Sequence, residues 1–123
     1  MERLLRRSEF LAAAKAPSAA ATAVVVQVLQ RADGKAFRVG YTCTKKLGNA
    51  VIRNRIRRRM REASKQVLPE IAKAHTDYVL IGRMGAENRP FDALRKDIIS
   101  AVTRVHSGEG QKPFRRQKDK PKP

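Results

Sequence analysis

The stretch AVIRNRIRRRMREA, residues 50–63, combines the pattern of an amphipathic helix with a high concentration of positive charge. Apolar residues recur along it at helical spacing, which predicts a helix over residues 49–68 that ends at Pro69. The apolar stripe consists of Ile52, Ile56, Met60, Ala63 and Val67. Six arginines between Arg53 and Arg61 occupy the remaining surface. The stretch therefore predicts a helix with one face on a core and guanidinium groups on its other faces.

No acidic residue in the preceding part of the sequence neutralises the positive charge of this helix. From residue 34 to residue 61 there are ten Lys and Arg and no Asp or Glu. Arg53, Arg57 and Arg61 follow one another at i,i+4, where like charges destabilise an isolated helix by about 0.2–0.5 kcal/mol per pair. Guanidinium groups bridge phosphate oxygens and stack on bases, which ammonium groups do not. We therefore interpret the helix as a nucleic-acid-binding surface rather than as an ordinary solvated face.

The chain as a whole is strongly basic. It has 123 residues, with 28 Lys and Arg against 11 Asp and Glu, and a formal net charge of +17. This charge favours nucleic acid as the partner, with an anionic membrane surface as the second choice. No run approaches the roughly 18 apolar residues of a membrane helix, and the N-terminus lacks the apolar segment of a signal peptide. The single cysteine, Cys43, excludes an internal disulfide and fits a reducing cytoplasm.

The residues before the basic stretch predict one helix and two strands. RSEFLAAAK, residues 7–15, is typical of a short helix with Ser8 as its cap and Pro17 beyond its end. The β-branched run over residues 22–30 predicts a strand, followed by a turn at Asp33-Gly34. In AFRVGYTCTK the residues Phe37, Val39, Tyr41 and Cys43 alternate with Arg38, Gly40, Thr42 and Thr44. This alternation predicts a second strand in which the apolar set, Phe37 to Cys43, faces the core and the other set faces away from it.

The residues after the basic stretch predict a strand, a helix and a tail. DYVLIGR, residues 77–83, is typical of a short buried strand, and residues 87–105 of an amphipathic helix. The stripe of that helix is Phe91, Leu94, Ile98, Ala101 or Val102, and Val105. We predict one domain over residues 1–106 and a basic, disordered tail over residues 107–123. The predicted fold is α+β, a small two-layer sandwich with helices packed on a mixed sheet of three or four strands.

Protein side chains that could carry out catalysis are not evident in the sequence. His75 and His106 lie near predicted element ends, without partners at metal-ligand spacing, and are expected on the surface. Cys43 is expected to be a buried structural thiol, because it falls on the apolar face of its strand. Most carboxylates occur singly among Lys and Arg, as solvated partners do: Glu62, Glu70, Asp77, Asp92 and Asp97. We therefore predict no catalytic residue and no metal site on the protein.

The stretch TKKLGNAVIRNRIRRRMREA, residues 44–63, resembles the signature of the bacterial ribonuclease P protein family. The matching residues are Lys45, Lys46, Gly48, Asn49, Ala50, Val51, Arg53, Asn54, Arg55, Arg57, Arg58, Arg61 and Glu62. A looser similarity covers RLLRRSEF, FRVGYT and DYVLIGR, so that the resemblance extends over residues 3–105. It implies the element order α-β-β-β-α-β-α, with a βαβ crossover through the basic helix.

The resemblance also implies a function. In that family an RNA subunit with bound Mg²⁺ cleaves precursor tRNA to mature its 5′ end, and the protein supports this endonuclease. Side chains that would contact the RNA subunit are Lys45, Lys46, Asn49, Arg53, Asn54, Arg55 and Arg58. The single-stranded 5′ leader of the substrate would lie in a cleft lined by Phe10, Arg57 and Arg61. No membrane and no protein partner are implied.

Several alternatives remain open at this stage. Asn54 can recognise a base edge or a sugar hydroxyl, or can be a polar residue on an exposed face, and Phe10 can be an ordinary core residue. Two aromatic residues of many relatives are absent: Ala14 stands at one position, and Gln27 or Val28 at the other. Leader binding is therefore expected to depend more on charge and less on stacking. A ribosomal or nucleoid-type binding protein is the alternative function, and clustered carboxylates for a protein-only nuclease are missing.

Overall fold

The structure is a computed structural model that describes residues 1–108 of the chain. Five strands and three helices follow one another along it. They are β1 (Glu2–Arg3), α1 (Arg7–Ala13), β2 (Ser18–Ala20), β3 (Val24–Gln30), β4 (Arg38–Thr42), α2 (Ala50–Ile71), β5 (Thr76–Gly82) and α3 (Phe91–His106), with a single 3₁₀ turn at Lys45–Leu47 before α2. Apart from the very short strand β1, this is the order α-β-β-β-α-β-α that the family resemblance implies.

The strands form one mixed sheet in the order β1-β4-β5-β3-β2. The pairs β1–β4 and β4–β5 are parallel, while β3 pairs antiparallel with both β5 and β2. Because α2 connects the parallel neighbours β4 and β5, the predicted βαβ crossover through the basic helix is confirmed. The α+β fold class is confirmed with it, although the sheet has five strands instead of three or four.

One face of the sheet is covered by α2 and α3 and carries the main core. The predicted stripe of α2 is confirmed, since Ile56, Met60 and Ala63 are fully buried. Below them lie alternate residues of the central strands, among them Tyr78 and Leu80 of β5. A Cβ atom on Gly82 would lie 2.7 Å from Cγ2 of Ile56, so the absence of a side chain there allows α2 to approach β5 closely. We call this side of the sheet the covered face.

The other side of the sheet is here called the α1 face. Within residues 1–108, only α1 and the segment before it cover this side. Its apolar cluster is small and consists of Leu4, Ala13 and Val79, with Phe10, Leu29 and Ile81 packed against it. The two faces also confirm the predicted alternation of β4. Val39 and Cys43 belong to the main core, whereas Gly40 contacts Leu4 and Phe10 on the α1 face.

The ends of two helices differ from their predicted positions. Ser8 does not cap α1, because Arg6 occupies the N-cap position and the Glu9 carboxylate accepts hydrogen bonds from the backbone N–H groups of Leu5 and Arg6 at 3.0 and 2.9 Å. Pro69 does not end α2, which continues to Ile71. Proline lacks an N–H donor, but a single missing hydrogen bond in the last turn is tolerated when the helix packs along its length.

Two carboxylates predicted to be solvated are buried instead. Asp77 in β5 is 1% exposed and Asp97 in α3 is 7% exposed. Both are neutralised by arginine: Arg38 binds Asp77 through two hydrogen bonds, and Arg89 binds Asp97 in the same way. His106 is likewise not a surface residue, because it is half-buried and its Nε2 lies 2.8 Å from the Tyr78 hydroxyl.

The remaining predictions concern the tail and the membrane. Most of the predicted tail over residues 107–123 lies outside the described residues. Within residues 1–108, no helix is both long and apolar enough to cross a membrane.

Candidate nucleic-acid interface

The approach to α2 places three predicted RNA contacts next to one another on the surface. Lys45 and Lys46 lie in the 3₁₀ turn and are exposed. Gly48 then reverses the chain with a φ of 139°, in the region that favours glycine. Asn49 follows as the N-cap of α2, where its Oδ1 accepts a hydrogen bond from the Ile52 N–H at 3.0 Å. Asn49 therefore fixes the start of the basic helix, whether or not it also contacts RNA.

One side of α2 carries arginines that lie over the β4 edge of the covered face. Arg61 lies 6.0 Å from the centre of the Tyr41 ring, and Arg57 donates a hydrogen bond to Oδ1 of Asn54 at 3.1 Å. Burial raises the pKa of the Cys43 thiol, while the positive charge of the nearby Arg57 opposes that shift. Cys43 is thus the buried, unreactive thiol that the sequence predicts.

The opposite side of α2 is attached to the loop before α3. Arg55 Nε donates a hydrogen bond to the backbone oxygen of Glu87 at 3.0 Å, and Arg59 binds the backbone oxygen of Arg89. Arg58 is exposed and has no hydrogen-bond or ion-pair partner in the part of the chain that the structure describes. The six arginines therefore differ: Arg55 and Arg59 have structural contacts, while Arg58 is available for a ligand.

A groove of about 240 Å³ opens on the α1 face, between α1 and the sheet. Val79 and Ile81 of β5 line it, together with Thr42 of β4 and Gln27 of β3. From α1 come Arg7, Phe10, Leu11 and Ala14. Most of these side chains are apolar, while a cation and an amide stand at its borders. The groove can therefore accommodate a flat apolar ring that carries polar atoms on its edge.

Phe10 is held in this groove by contacts on both sides. Its ring lies on Gly40, where a Cβ atom would come within 2.6 Å of Cε1 of the ring. The preceding residue, Glu9, binds Arg38 at 2.7 Å, and Arg38 in turn binds the buried Asp77 at 2.8 Å. The two consecutive ion pairs, Glu9–Arg38 and Arg38–Asp77, attach α1 to the sheet. Phe10 both packs on the small cluster and lines the groove, so the geometry accommodates either of its predicted roles.

The other two predicted leader contacts lie outside the groove itself. Arg57 and Arg61 are not among its lining residues and lie instead near Cys43 and Tyr41, on the covered side of β4. Thr42, the last residue of β4, lies between Tyr41 and Cys43 in the sequence and does line the groove. The predicted leader residues are thus separated by one strand, and an extended ligand would have to cross the edge of β4 to contact all of them.

Three further residues of this region were not predicted as site residues. Arg7 lines the groove three positions before Phe10, a helical spacing that could have indicated it. Arg3 lies 6.0 Å from the centre of the Tyr41 ring, matching Arg61, and only the structure brings it there. The structure also decides between Gln27 and Val28, because Gln27 lines the groove whereas Val28 belongs to the main core.

Metal binding by the protein has no support in the described part of the chain. Among residues 1–108, no three His, Cys, Asp or Glu side chains come together in a way that could hold an ion. The buried carboxylates Asp77 and Asp97 are bound by arginines.

Comparison with known proteins identifies the family of this chain. The family model described as Ribonuclease P matches residues 1–106. The chain belongs to the ribonuclease P protein family. The ribonuclease P protein component of Ruegeria pomeroyi is 48% identical over 107 residues, which cover 85% of this chain and 86% of that protein. The protein component of Caulobacter vibrioides is 48% identical over 102 residues, covering 82% of this chain and 68% of the relative.

Solved structures agree with this family. The RNase P protein of Staphylococcus aureus superposes with a TM-score of 0.71 at 26% identity, covering 85% of this chain and 95% of that one. The RNase P protein of Thermotoga maritima shares the fold, with a TM-score of 0.68 at 24% identity and coverage of 81% and 94%. Membership makes the chain a subunit of the ribonuclease P ribonucleoprotein, a tRNA-processing particle, with the ribonuclease P RNA as its partner. A ribosomal or nucleoid-type protein is not favoured.

Proposed function

We propose that this protein binds the catalytic RNA of ribonuclease P through α2 and holds the 5′ leader of precursor tRNA in the groove on the α1 face. Catalysis belongs to the RNA, which also holds the Mg²⁺ ions, and the particle acts in the cytoplasm. The observation that carries this proposal is the separation of two different surfaces by β4. One surface has many cations and few apolar groups, and the other is a narrow groove with an aromatic ring.

Each surface suits the nucleic acid assigned to it. A folded RNA presents closely spaced phosphates, which exposed cations such as Lys45, Lys46 and Arg58 can bind. A leader is a single strand, and single strands are held by an aromatic ring that stacks on a base, together with cations along the backbone. Phe10 and Arg7 of the groove supply these two groups, and Arg57 and Arg61 lie across the strand for the continuing phosphates.

The experiment that tests this function is reconstitution at low Mg²⁺ concentration. Precursor tRNA is incubated with the protein alone, with a cognate catalytic RNA alone, and with both. We expect 5′ cleavage at low Mg²⁺ only when both components are present. Cleavage by the protein alone would contradict RNA catalysis, and binding of precursor tRNA without any effect on cleavage would contradict the assisting role.

A further inference from the structure

Two arginines on one side of α2 are attached to the loop between β5 and α3, residues 83–90, here called the β5–α3 loop. Nε of Arg55 donates a hydrogen bond to the backbone oxygen of Glu87 at 3.0 Å. Nη2 of Arg59 donates one to the backbone oxygen of Arg89. Arg55 is exposed, whereas Arg59 is half-buried and its Nε is shielded from solvent without a hydrogen-bond partner in the described chain. Arg59 is therefore the less accessible of the two to an RNA.

The β5–α3 loop is fixed to the rest of the protein by several contacts. Ala86 is buried in the main core, with 1% of its surface exposed. Nε and Nη2 of Arg89 donate to the two carboxylate oxygens of Asp97 in α3, both at 3.0 Å. Oδ2 of Asp97 also accepts a hydrogen bond from the Ala23 N–H at 3.2 Å, which connects the loop to the residue before β3. The carbonyl group of Glu87 is therefore held at a defined position beside α2.

This carbonyl group orients the guanidinium group of Arg55. The hydrogen bond uses Nε, and neither Nη1 nor Nη2 of Arg55 has a partner within residues 1–108. Guanidinium nitrogens can bind two oxygens of one phosphate. A long side chain that moves freely in the unbound protein loses rotamer freedom when it binds, and this loss lowers the affinity. Because Arg55 is partly ordered before binding, it loses less of this freedom.

We propose that Arg59 and Arg89 are positioning residues that orient Arg55 toward a phosphate of the catalytic RNA by holding the β5–α3 loop against α2. The inference rests on the proposed function, because it requires the RNA to contact α2. Loss of the Arg59 guanidinium group releases the loop from α2. Arg55 then keeps its charge and its phosphate contact but has to be ordered during binding. The affinity for RNA falls, while the number of phosphate contacts stays the same.

The test measures the affinity of the full-length protein for a cognate catalytic RNA over a series of salt concentrations. Arg59→Met, Arg55→Met and the double variant are compared with the wild type, because methionine keeps an apolar stem and lacks the guanidinium group. Arg95→Met is the matched control. Arg95 donates a hydrogen bond to Oε1 of Gln66 at 3.1 Å, so it also connects α3 to α2, but about two helical turns from Arg59. The urea midpoint of each variant shows that it is folded.

The expected results separate orientation from direct contact. Arg55→Met should weaken RNA binding and make the slope of log K against log salt less steep by about 1, because one phosphate contact is lost. Arg59→Met should weaken binding by about 3- to 10-fold, the scale of ordering one long side chain, and should leave the slope unchanged. In the double variant the loss of Arg59 should cause no further weakening, since its effect acts through Arg55. Arg95→Met should change neither quantity.

Several outcomes overturn the positioning role. Arg59→Met could leave the affinity unchanged, could make the slope less steep as a direct phosphate contact does, or could weaken binding equally with and without the Arg55 side chain. Equal weakening by Arg95→Met, or no effect of Arg55→Met, would overturn it as well. If neither Arg55→Met nor Arg58→Ala alters the slope, α2 does not bind the RNA, and the proposed function fails together with this inference.

Discussion

The two faces of the sheet use the same strands for different purposes. On the covered face, α2 and α3 bury a continuous apolar core in which Ile56, Met60 and Leu94 are completely inaccessible. On the α1 face, a helix of seven residues covers a small apolar cluster, and ion pairs and a groove occupy the rest. The covered face therefore supplies most of the stability. The α1 face keeps part of the sheet open for a ligand.

The difference shows where polar groups are placed in a small binding protein. Asp77 on the α1 face neutralises Arg38 at 2.8 Å and Arg31 at 3.2 Å, and Arg38 also binds Glu9 of α1. These charges hold α1 in position without filling the space beside it. An apolar contact of comparable strength would require burying the groove, so ion pairs allow the groove to stay open next to a fixed helix.

The largest expected effect is the loss of Asp77. Asp77→Ala would leave Arg31 and Arg38 without their buried carboxylate, and removing one partner of such a pair costs about 3–5 kcal/mol. Urea unfolding of the free protein measures this loss. Asp92→Ala is the control, because Asp92 forms exposed ion pairs with Arg95 and Lys96 that are worth at most about 1 kcal/mol. Similar losses for both variants would contradict a structural role of the ion pairs on the α1 face.

The covered face is tested by truncation of its central isoleucine. Ile56→Ala should lower the free energy of unfolding by about 2–5 kcal/mol, because the side chain is fully buried under α2. Val51→Ala on the same helix is the control and should change stability by less than about 0.5 kcal/mol, since Val51 is exposed. The ratio of affinities for precursor and mature tRNA should stay unchanged in folded Ile56→Ala holoenzyme. A changed ratio would mean that the two faces are not separable.

The exposed Arg58 of α2 should affect RNA binding without affecting stability. If about six cations contact phosphates, log K for the catalytic RNA should fall against log salt with a slope of roughly −4 to −5. Arg58→Ala should make this slope less steep by about 1 and leave the urea midpoint unchanged, because Arg58 is exposed. Arg53→Ala should make the slope less steep in the same way. Lys96→Ala in α3 removes the same charge elsewhere and should leave the slope unchanged, whereas an equal change would indicate nonspecific attraction.

The smallest expected effect is a pH dependence at the end of α3. The Tyr78 hydroxyl accepts a hydrogen bond from the Lys73 N–H at 2.8 Å, and its oxygen also lies 2.8 Å from Nε2 of His106. A neutral imidazole with an unprotonated Nε2 can accept the hydroxyl hydrogen at this distance. Burial, and then the charge of Lys73, lower the pKa of His106 below its ordinary value of 6.5. The stability contributed by neutral His106 is therefore present above pH 6.5 and lost as the pH falls below it.

The measurement for His106 is the Tm at pH 8 and pH 5. We expect the wild type to lose more stability than His106→Gln over this interval, because the variant has no imidazole to protonate. Glu9 titrates in a lower range, since hydrogen bonds from the Arg6 and Leu5 N–H groups lower its pKa below 4.5. An identical loss in wild type and variant would assign the pH dependence to other groups.

The sequence predicts secondary structure best where a hydrophobic pattern extends over many residues. The apolar stripe of α2 spans several turns, so its helix and its buried face were predicted correctly. The residue pattern alone predicts neither β1 nor β2, because two or three residues are too few to establish an alternation. The order implied by the family resemblance includes β2 but not β1. The burial of Asp77 was also missed, because its partner Arg38 lies 39 positions away and becomes a neighbour only through the parallel pairing of β4 and β5.

The groove was only partly accessible to sequence reasoning. Phe10 was assigned through the family resemblance, and its contact with Gly40 depends on how α1 packs on the sheet. Gln27 and Val28 could not be distinguished, because a shift of one residue along a strand exchanges its two faces. The structure places Gln27 on the α1 face and Val28 on the covered face.

The central claim, that the α1 face binds the leader while the covered face provides stability, is tested by two phenylalanine truncations. Phe10 lines the groove, and Phe37 packs on the covered face, where its ring centre lies 6.1 Å from that of Tyr78. Affinities of the holoenzyme for precursor and mature tRNA are measured at one Mg²⁺ and salt concentration. Phe10→Ala should weaken precursor binding by about 1–3 kcal/mol, the value of one stacked base, and leave mature tRNA binding unchanged.

Phe37→Ala should destabilise the protein but keep the precursor preference. Arg57→Ala and Arg61→Ala extend the same test to the far side of β4 and should reduce precursor binding selectively if the leader crosses that strand. If Phe10→Ala instead weakens precursor and mature tRNA equally, or if Phe37→Ala loses the precursor preference as Phe10→Ala does, the division of labour between the two faces is wrong.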